Sequence, residues 1–170
     1  PMRNGVQKQE LPECALLQTY RRNGAYTDCY CITVHGPVPL GEFVLAFYTT
    51  WLFRLERGIL KLVSRPSTDS DAERLVAGQQ ENFAAWTVEA RTDDQLLMCD
   101  YRGRTRSWFM TEPHGESTRL YFGSAVVPAR KNETSIGAGF GLLLGFHKLY
   151  SRALLSTARS NLHQSKKSGS

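Results

Sequence analysis

Residues of alternating polarity predict the first clear strand of the chain, over positions 25–35. One face of this strand carries Tyr30, Ile32 and Val34, and the other carries Cys29, Cys31, Thr33 and His35. A Gly-Pro pair at 36–37 ends it. The preceding residues 1–24 contain few apolar side chains and close on an Arg-Arg-Asn-Gly turn. We therefore expect them to form a flexible N-terminal arm.

Over residues 40–63 the apolar positions change to the three- and four-residue spacing of a helix. The buried stripe that this spacing predicts contains Phe43, Phe47, Trp51, Leu55, Ile59 and Leu62. A capping box at 70–73 then predicts a short second helix, which Gly78 ends.

The middle of the chain contains short apolar stretches separated by three turn signals. Such short connections predict four antiparallel strands rather than parallel crossovers. The predicted strands cover residues 83–91, 96–101, 104–111 and 118–127. We expect Trp86 and Val88 to face the helices.

A long C-terminal helix is predicted by an apolar stripe between residues 135 and 162, which includes Leu144 and His147. Gly137, Gly141 and Gly145 recur every four residues, so they lie on one side of that helix. Each glycine costs a helix about 1 kcal/mol relative to alanine. We expect this bare side either to pack very closely against another element or to leave room for a ligand.

This order of elements predicts an α+β fold, in which an antiparallel sheet grips the long C-terminal helix. We expect one domain over residues 25–163, after the arm and before a disordered tail at 164–170. A chain of 170 residues is long enough to bury a core of its own.

Composition excludes several function classes. The net charge is +5, but basic residues alternate with acidic ones, so we expect no nucleic-acid partner. Cys14, Cys29, Cys31 and Cys99 match neither a disulfide framework nor the spacing of a zinc site, which indicates reduced thiols in a cytoplasmic protein without a metal. The first residues do not resemble a signal peptide, and the longest apolar run, 136–146, is shorter than the ~20 residues of a membrane span. No phosphate-binding or dinucleotide motif predicts a cofactor.

Two motifs in the second half carry a resemblance. They are DDQLLMCDYRGRTRSWF at 93–109 and GFHKLYSRALL at 145–155. The first resembles the central hairpin, and the second the C-terminal P-F-H-R-x-x-x-R-x-x-L pattern, of a bacterial family of unknown function. That family lies within or near the START-like, polyketide-cyclase-like superfamily (helix-grip, SRPBCC). Gly145 stands where the family pattern has proline. The resemblance covers residues 26–160 and implies a helix-grip fold with a cavity, but no activity.

Three residues are candidates for chemistry in such a cavity. His147 lies in the apolar stripe of the last helix, either as a core histidine with one hydrogen bond or as a ligand-orienting residue or general base. Asp100, which shares a strand face with Leu96 and Met98, needs a partner if it is buried. With Arg106 it could form a cross-strand pair near the solvent edge or an anion clamp at the pocket mouth.

Aromatic residues are spread over the long helix and the strands: Trp51, Trp86, Trp108 and Tyr121. Such residues usually form core, but they can also line a cavity for a flat apolar ligand. With Gly141 and His147, they are the predicted ligand-binding residues.

Three function classes remain. We favour the binding of a small apolar or aromatic molecule between the curved sheet and the C-terminal helix. One alternative is an enzyme of cyclase, dehydratase or hydrolase type in the same cavity, with His147, Asp100 and Arg106 as catalytic residues. The other is an interaction protein that uses the glycine stripe as a docking face. A buried polar pair beside the cavity would favour the enzyme, and an apolar cavity would favour the binder.

Overall fold

The computed structural model describes residues 5–49, 69–79, 82–83, 86–100, 103, 105–127, 155–156, 158–160, 162 and 167. In chain order, the elements in these residues are β1 (Gln7–Lys8), α1 (Gln18–Arg22), β2 (Tyr26–His35), α2 (Leu40–Tyr48), α3 (Asp69–Val76), β3 (Asn82–Phe83), β4 (Trp86–Arg91), β5 (Gln95–Asp100), β6 (Thr105–His114) and β7 (Ser117–Val126).

The strands form a seven-stranded sheet in the order β1-β2-β7-β6-β5-β4-β3. All of its neighbours pair antiparallel. The α+β class and the antiparallel meander are therefore confirmed. β2 and β7 are far apart in sequence but neighbours in the sheet. Their ladder pairs ten residues of each strand, from Tyr26↔Val126 to His35↔Ser117.

The strand predicted over residues 83–91 is wrong in one respect. The structure has two strands there, β3 and β4, which fold back on each other with Phe83 opposite Trp86. The backbone therefore reverses direction within residues 83–91, although apolar and polar residues alternate there as they would in one continuous strand.

The strand predicted over residues 104–111 also ends later in the structure than expected. β6 continues through Pro113 to His114, and the reversal takes place at Gly115, whose φ is +60°. The Thr111 amide points toward β5, where it donates to the Asp94 carbonyl. The Pro113 nitrogen points the same way, but β5 pairs with β6 only as far as Met110. Proline is tolerated in this strand because no ladder bond is lost.

One face of the sheet, the helix-side face, packs against α2 and α3. Its core includes Tyr30, Ile32, Leu96, Met98, Phe109, Leu120 and Phe122 from the strands and Phe43, Val44, Phe47, Tyr48, Ala72 and Leu75 from the helices. The predicted faces of β2 are confirmed, because its aromatic and branched residues lie here and its cysteines lie on the opposite face. Val88 packs on this face as predicted.

Residues near the C-terminus join the same core. Leu155, Ala158 and Leu162 are helical and buried, and all three belong to the helix-side cluster. Their spacing of three and four residues is that of one helix face. The glycine stripe, Gly141 and His147 lie outside the described residues.

The other face, the arm-side face, is covered by the N-terminal segment. Leu11, Ala15 and Leu17 are buried against Cys29, Cys31, Leu97, Trp108, Met110, Tyr121 and Ala125. Where the sequence predicts a loose arm, the structure has a packed layer. The arm carries few apolar residues, but those few lie against the sheet.

None of the four cysteines forms a disulfide, as expected for reduced thiols. Within the part of the chain that the structure describes, no helix is long and apolar enough to cross a membrane.

Candidate functional site

A row of polar residues crosses three strands on the helix-side face. Asp28 in β2 lies opposite Ser124 in β7, which lies opposite Ser107 in β6. The next row along the same strands is apolar: Tyr30, Phe122, Phe109 and Leu96 lie side by side in register. The polar row therefore borders directly on the aromatic core.

The Asp28 carboxylate is the charged member of this row, and its residue is only 4% exposed. Its Oδ1 accepts a hydrogen bond from the Ser124 amide at 3.0 Å, and its Oδ2 accepts one from the Tyr26 hydroxyl at 3.3 Å. A buried carboxylate needs such donors, since an uncompensated charge is very costly inside a protein. Burial raises the pKa of Tyr26, and the negative charge of Asp28 raises it further. The phenol therefore stays protonated and remains a donor.

The Ser124 hydroxyl differs from its neighbours. Its residue is 1% exposed, and among the described residues its Oγ has no hydrogen-bond partner. A buried polar atom left without a partner costs a protein about 1–3 kcal/mol. Such an atom in a native structure calls for an explanation, and a bound molecule is one.

The apolar part of the face is a cluster of aromatic rings. Phe47 from α2 lies 4.9 Å from Phe109 and 4.7 Å from Phe122, measured between ring centroids. Phe109 and Phe122 are 5.3 Å apart. These distances and tilts are those at which aromatic pairs attract each other.

Arg106 lies on the arm-side face rather than beside this row. Its Nε donates to the Tyr20 hydroxyl at 2.8 Å and forms an ion pair of 3.1 Å with Glu89 Oε1. The guanidinium also lies over the Tyr20 ring, 4.7 Å from its centroid. Burial alone lowers the pKa of Arg106, but its bond to Tyr20 and the charge of Glu89 raise it overall. Its acidic partner is therefore Glu89.

Trp108 is fully buried beneath the arm. Its indole nitrogen donates to Gln95 Oε1 at 2.8 Å, and the same oxygen accepts from the Leu16 amide at 2.9 Å. The Gln95 nitrogen donates to the Cys14 carbonyl at 3.0 Å. Gln95 thus links the arm to the sheet and accepts the hydrogen bond of the buried indole N–H group. Trp108 is therefore part of the arm-side core.

Tyr121 is also on the arm-side face, with its ring centroid 6.2 Å from that of Trp108. Its hydroxyl donates to Glu112 Oε2 at 2.6 Å. Burial, followed by this hydrogen bond, raises the pKa of Tyr121 to about 12.

The other predicted site residues are placed only in part. Asp100 ends β5 with its backbone opposite Trp86, and the side chains of both lie outside the described residues, as do Trp51, Gly141 and His147. Leu96 and Met98, which share a predicted face with Asp100, belong to the helix-side core, whereas Arg106 shares the arm-side face with Trp108 and Tyr121.

Sequence reasoning missed the polar row, although a signal was present. Asp28 falls on the face of β2 that carries Tyr30 and Ile32, so the alternation itself places a carboxylate among core residues. The unpartnered Ser124 hydroxyl carries no such signal, because serine is common on either face of a strand.

Chemically, the polar row offers the buried carboxylate of Asp28 and the hydroxyl of Ser124, next to aromatic rings. Tyr26, beside the row, adds a protonated phenol. Within the described residues, no group of three or more His, Cys, Asp or Glu side chains is placed to hold a metal ion. No protein-family model matches the chain, and no curated protein matches it significantly.

Proposed function

We propose that this protein is a cytoplasmic binding module for a small apolar or aromatic molecule. The molecule is held between the sheet and the C-terminal helix, in the manner of the START-like helix-grip superfamily. Its polar end meets the row formed by Asp28, Ser124 and Ser107, and its flat part meets Phe109 and Phe122.

The strand order supports the helix-grip part of the proposal. β2 pairs with β7, the last strand, and α2 and α3 lie between β2 and β3 in the chain. Among the described residues the N-terminal arm covers the other face of the sheet, so we expect a helix that follows β7 to pack on the helix-side face. Leu155, Ala158 and Leu162 belong to the core of that face, which is where a gripped helix packs.

The observation that carries the proposal is the hydroxyl of Ser124, which has no hydrogen-bond partner in the described part of the chain and lies beside the carboxylate of Asp28. On one side this row borders the apolar row of Tyr30, Phe122 and Phe109. Ligand sites are mostly apolar with a few placed polar groups that fix orientation. A ligand that donates a hydrogen bond fits, because a carboxylate can accept several bonds and a serine hydroxyl can accept as well as donate.

The test uses N-phenyl-1-naphthylamine, a neutral aromatic fluorophore with one N–H donor. We expect saturable fluorescence enhancement with the wild-type protein. Ser124→Leu, which fills the polar row, should weaken binding at least tenfold. The control is Ser117→Leu, the same change at the far end of β7, which should leave binding within twofold.

Two outcomes contradict the proposal: no saturable enhancement, or equal loss in both variants. Ser124→Ala guards against a folding artefact because it adds no bulk. It should keep the fold and still change the affinity for the probe.

One observation favours the enzyme alternative, namely the hydrogen bond between the Tyr26 phenol and the Asp28 carboxylate. In this alternative the Asp28 carboxylate is the general base, and the phenol, which stays protonated, orients it. Incubation with phenyl esters and aromatic 1,3-diketones, followed by NMR, separates the two classes. Turnover that is lost in Asp28→Asn and kept in Ser117→Leu would replace binding with catalysis as the function.

A further inference from the structure

A cleft of about 660 Å³ lies on the arm-side face, where β2 ends and the β6–β7 hairpin turns. It is separate from the polar row, which lies on the opposite face and nearer the other end of β2 and β7. Its lining includes Thr33, His35, His114, Ser117 and Arg119. These side chains are rich in hydrogen-bond donors.

The sheet register explains why they come together. His35, Ser117 and His114 lie in one row across β2, β7 and β6, and Thr33, Arg119 and Glu112 lie in the next row. Residues two apart on a strand point to the same face. Both rows therefore continue toward Cys31 and Tyr121, which belong to the arm-side core.

Among the described residues Arg119 forms no ion pair, although Glu112 lies opposite it in the sheet. Glu112 lies directly opposite in β6, but its Oε2 accepts the hydroxyl of Tyr121 at 2.6 Å. The Arg119 Nη2 instead lies 3.4 Å from Nε2 of His114. Among the described residues, no carboxylate lies within ion-pair distance of Arg119.

A guanidinium carries only N–H donors, so in this contact Nη2 of Arg119 donates to the lone pair of Nε2 on His114, and Nδ1 is the ring nitrogen that can donate to a ligand. An oxyanion would give the other N–H groups of Arg119 a charge-assisted partner that can accept two hydrogen bonds. Burial raises the pKa of the Cys31 thiol to about 11 even though the nearby Arg119 acts in the opposite direction. The thiol therefore stays neutral and adds no competing negative charge. Glu116 also lines the cleft, but it is exposed in the hairpin turn.

We propose that this cleft binds a small molecule through an oxyanion group, a phosphate or a carboxylate. Arg119 and His114 hold the oxyanion, and the hydroxyls of Thr33 and Ser117 supply further donors. The site is independent of the ligand proposed for the helix-side face, so either proposal can fail without the other.

The experiment titrates the full chain with inorganic phosphate and, in a separate arm, with succinate, and follows arginine Nε and histidine ring signals by NMR. We expect saturable shifts of the Arg119 and His114 signals with at least one of the two anions. A tenfold preference for one of them identifies the source of the oxyanion as phosphate or carboxylate.

Arg119→Gln removes one charge and should weaken binding at least tenfold. The matched control is Arg21→Gln, since Arg21 is an exposed arginine of the arm that pairs with Glu10 at 3.0 Å, away from the cleft. It should change the affinity less than twofold. Linear, unsaturated shifts in the wild type, or equal losses in the two variants, would overturn the proposal. If Arg119→Gln does not fold, His114→Gln replaces it, with the same tenfold loss expected.

Discussion

Both faces of the sheet are covered, but the side chains and the elements that cover them differ. The helix-side face is built from phenylalanine and aliphatic side chains under helices, and it contains a buried hydroxyl without a partner among the described residues. The arm-side face holds a tryptophan and two thiols under a segment with little regular structure. There the buried polar groups of Gln95 and Trp108 are hydrogen-bonded to each other and to the arm.

This difference concerns how the described residues satisfy the buried polar groups of each face. On the arm-side face, Tyr20, Glu89 and Arg106 form a mutually bonded cluster at one side of the arm. Hydrogen bonds of this kind hold the arm against the sheet. On the helix-side face, no described residue is hydrogen-bonded to the Ser124 hydroxyl, and for that reason we propose that the ligand binds there.

The largest expected effect is the loss of stability when a large buried side chain is removed from either face of the sheet. Trp108 and Phe109 are adjacent in β6, both fully buried, and they point to opposite faces. Trp108→Ala and Phe109→Ala should each lower the free energy of unfolding by about 3–5 kcal/mol. Urea denaturation measures both. A loss below about 1 kcal/mol for Trp108→Ala would mean that the arm does not seal its face.

The next effect is a loss of folding stability at alkaline pH, which we attribute mainly to two buried thiols of the arm-side face. Burial raises the pKa of Cys29 to about 12 and that of Cys31 to about 11. An unfolded thiol has a pKa near 8.5, so the folded state binds more protons above that pH. Stability is then complete below pH 8 and is lost as pH rises through 9 to 12, by about 2 kcal/mol per thiol at pH 10.

Unfolding measured at pH 8, 9 and 10 checks this expectation. In the Cys29→Ala, Cys31→Ala double variant the loss between pH 8 and 10 should shrink, because the phenol of Tyr121 titrates mainly above that range. An unchanged loss would assign the pH dependence to other groups.

A third effect compares two neighbours in β7. A Cβ added to Gly123 would lie 2.8 Å from the Asp28 carbonyl oxygen and 2.9 Å from Cε3 of Trp108. Gly123→Ala should therefore cost about 1–3 kcal/mol. Ser124→Ala, on the helix-side face, should leave stability unchanged or raise it by about 1 kcal/mol, because it removes an unpartnered hydroxyl. A clear loss from Ser124→Ala would show that its hydroxyl already has a structural partner.

The smallest effect concerns the cluster that fastens the arm. Glu89→Gln weakens a partly exposed ion pair with Arg106, so we expect a loss of up to about 1 kcal/mol that shrinks in 1 M salt. The control is Glu10→Gln, in the more exposed pair with Arg21, which should have almost no effect. Equal losses in the two variants would remove the distinction between a fastening cluster and an ordinary surface pair.

Much of the strand structure could be predicted because alternation is a local property. The two faces of β2 and the meander from β4 to β7 follow from the sequence alone, as does the helix that starts at Leu40. The arm could not be predicted in the same way. Leu11, Ala15 and Leu17 follow no strand or helix period, and only docking against the sheet buries them.

Which residues of a strand share a face follows from the amino-acid order, because successive side chains of a strand point to opposite sides. Which residues meet across strands depends on the fold. Ser124 meets Asp28 from 96 positions away, Tyr20 meets Arg106 from 86, and Gln95 meets Leu16 from 79. The order of strands decides these meetings, and the order depends on the packing of the whole chain rather than on any local pattern. For that reason, Arg106 could be recognised as a residue in need of a carboxylate, while its partner, Glu89, could be found only in the fold.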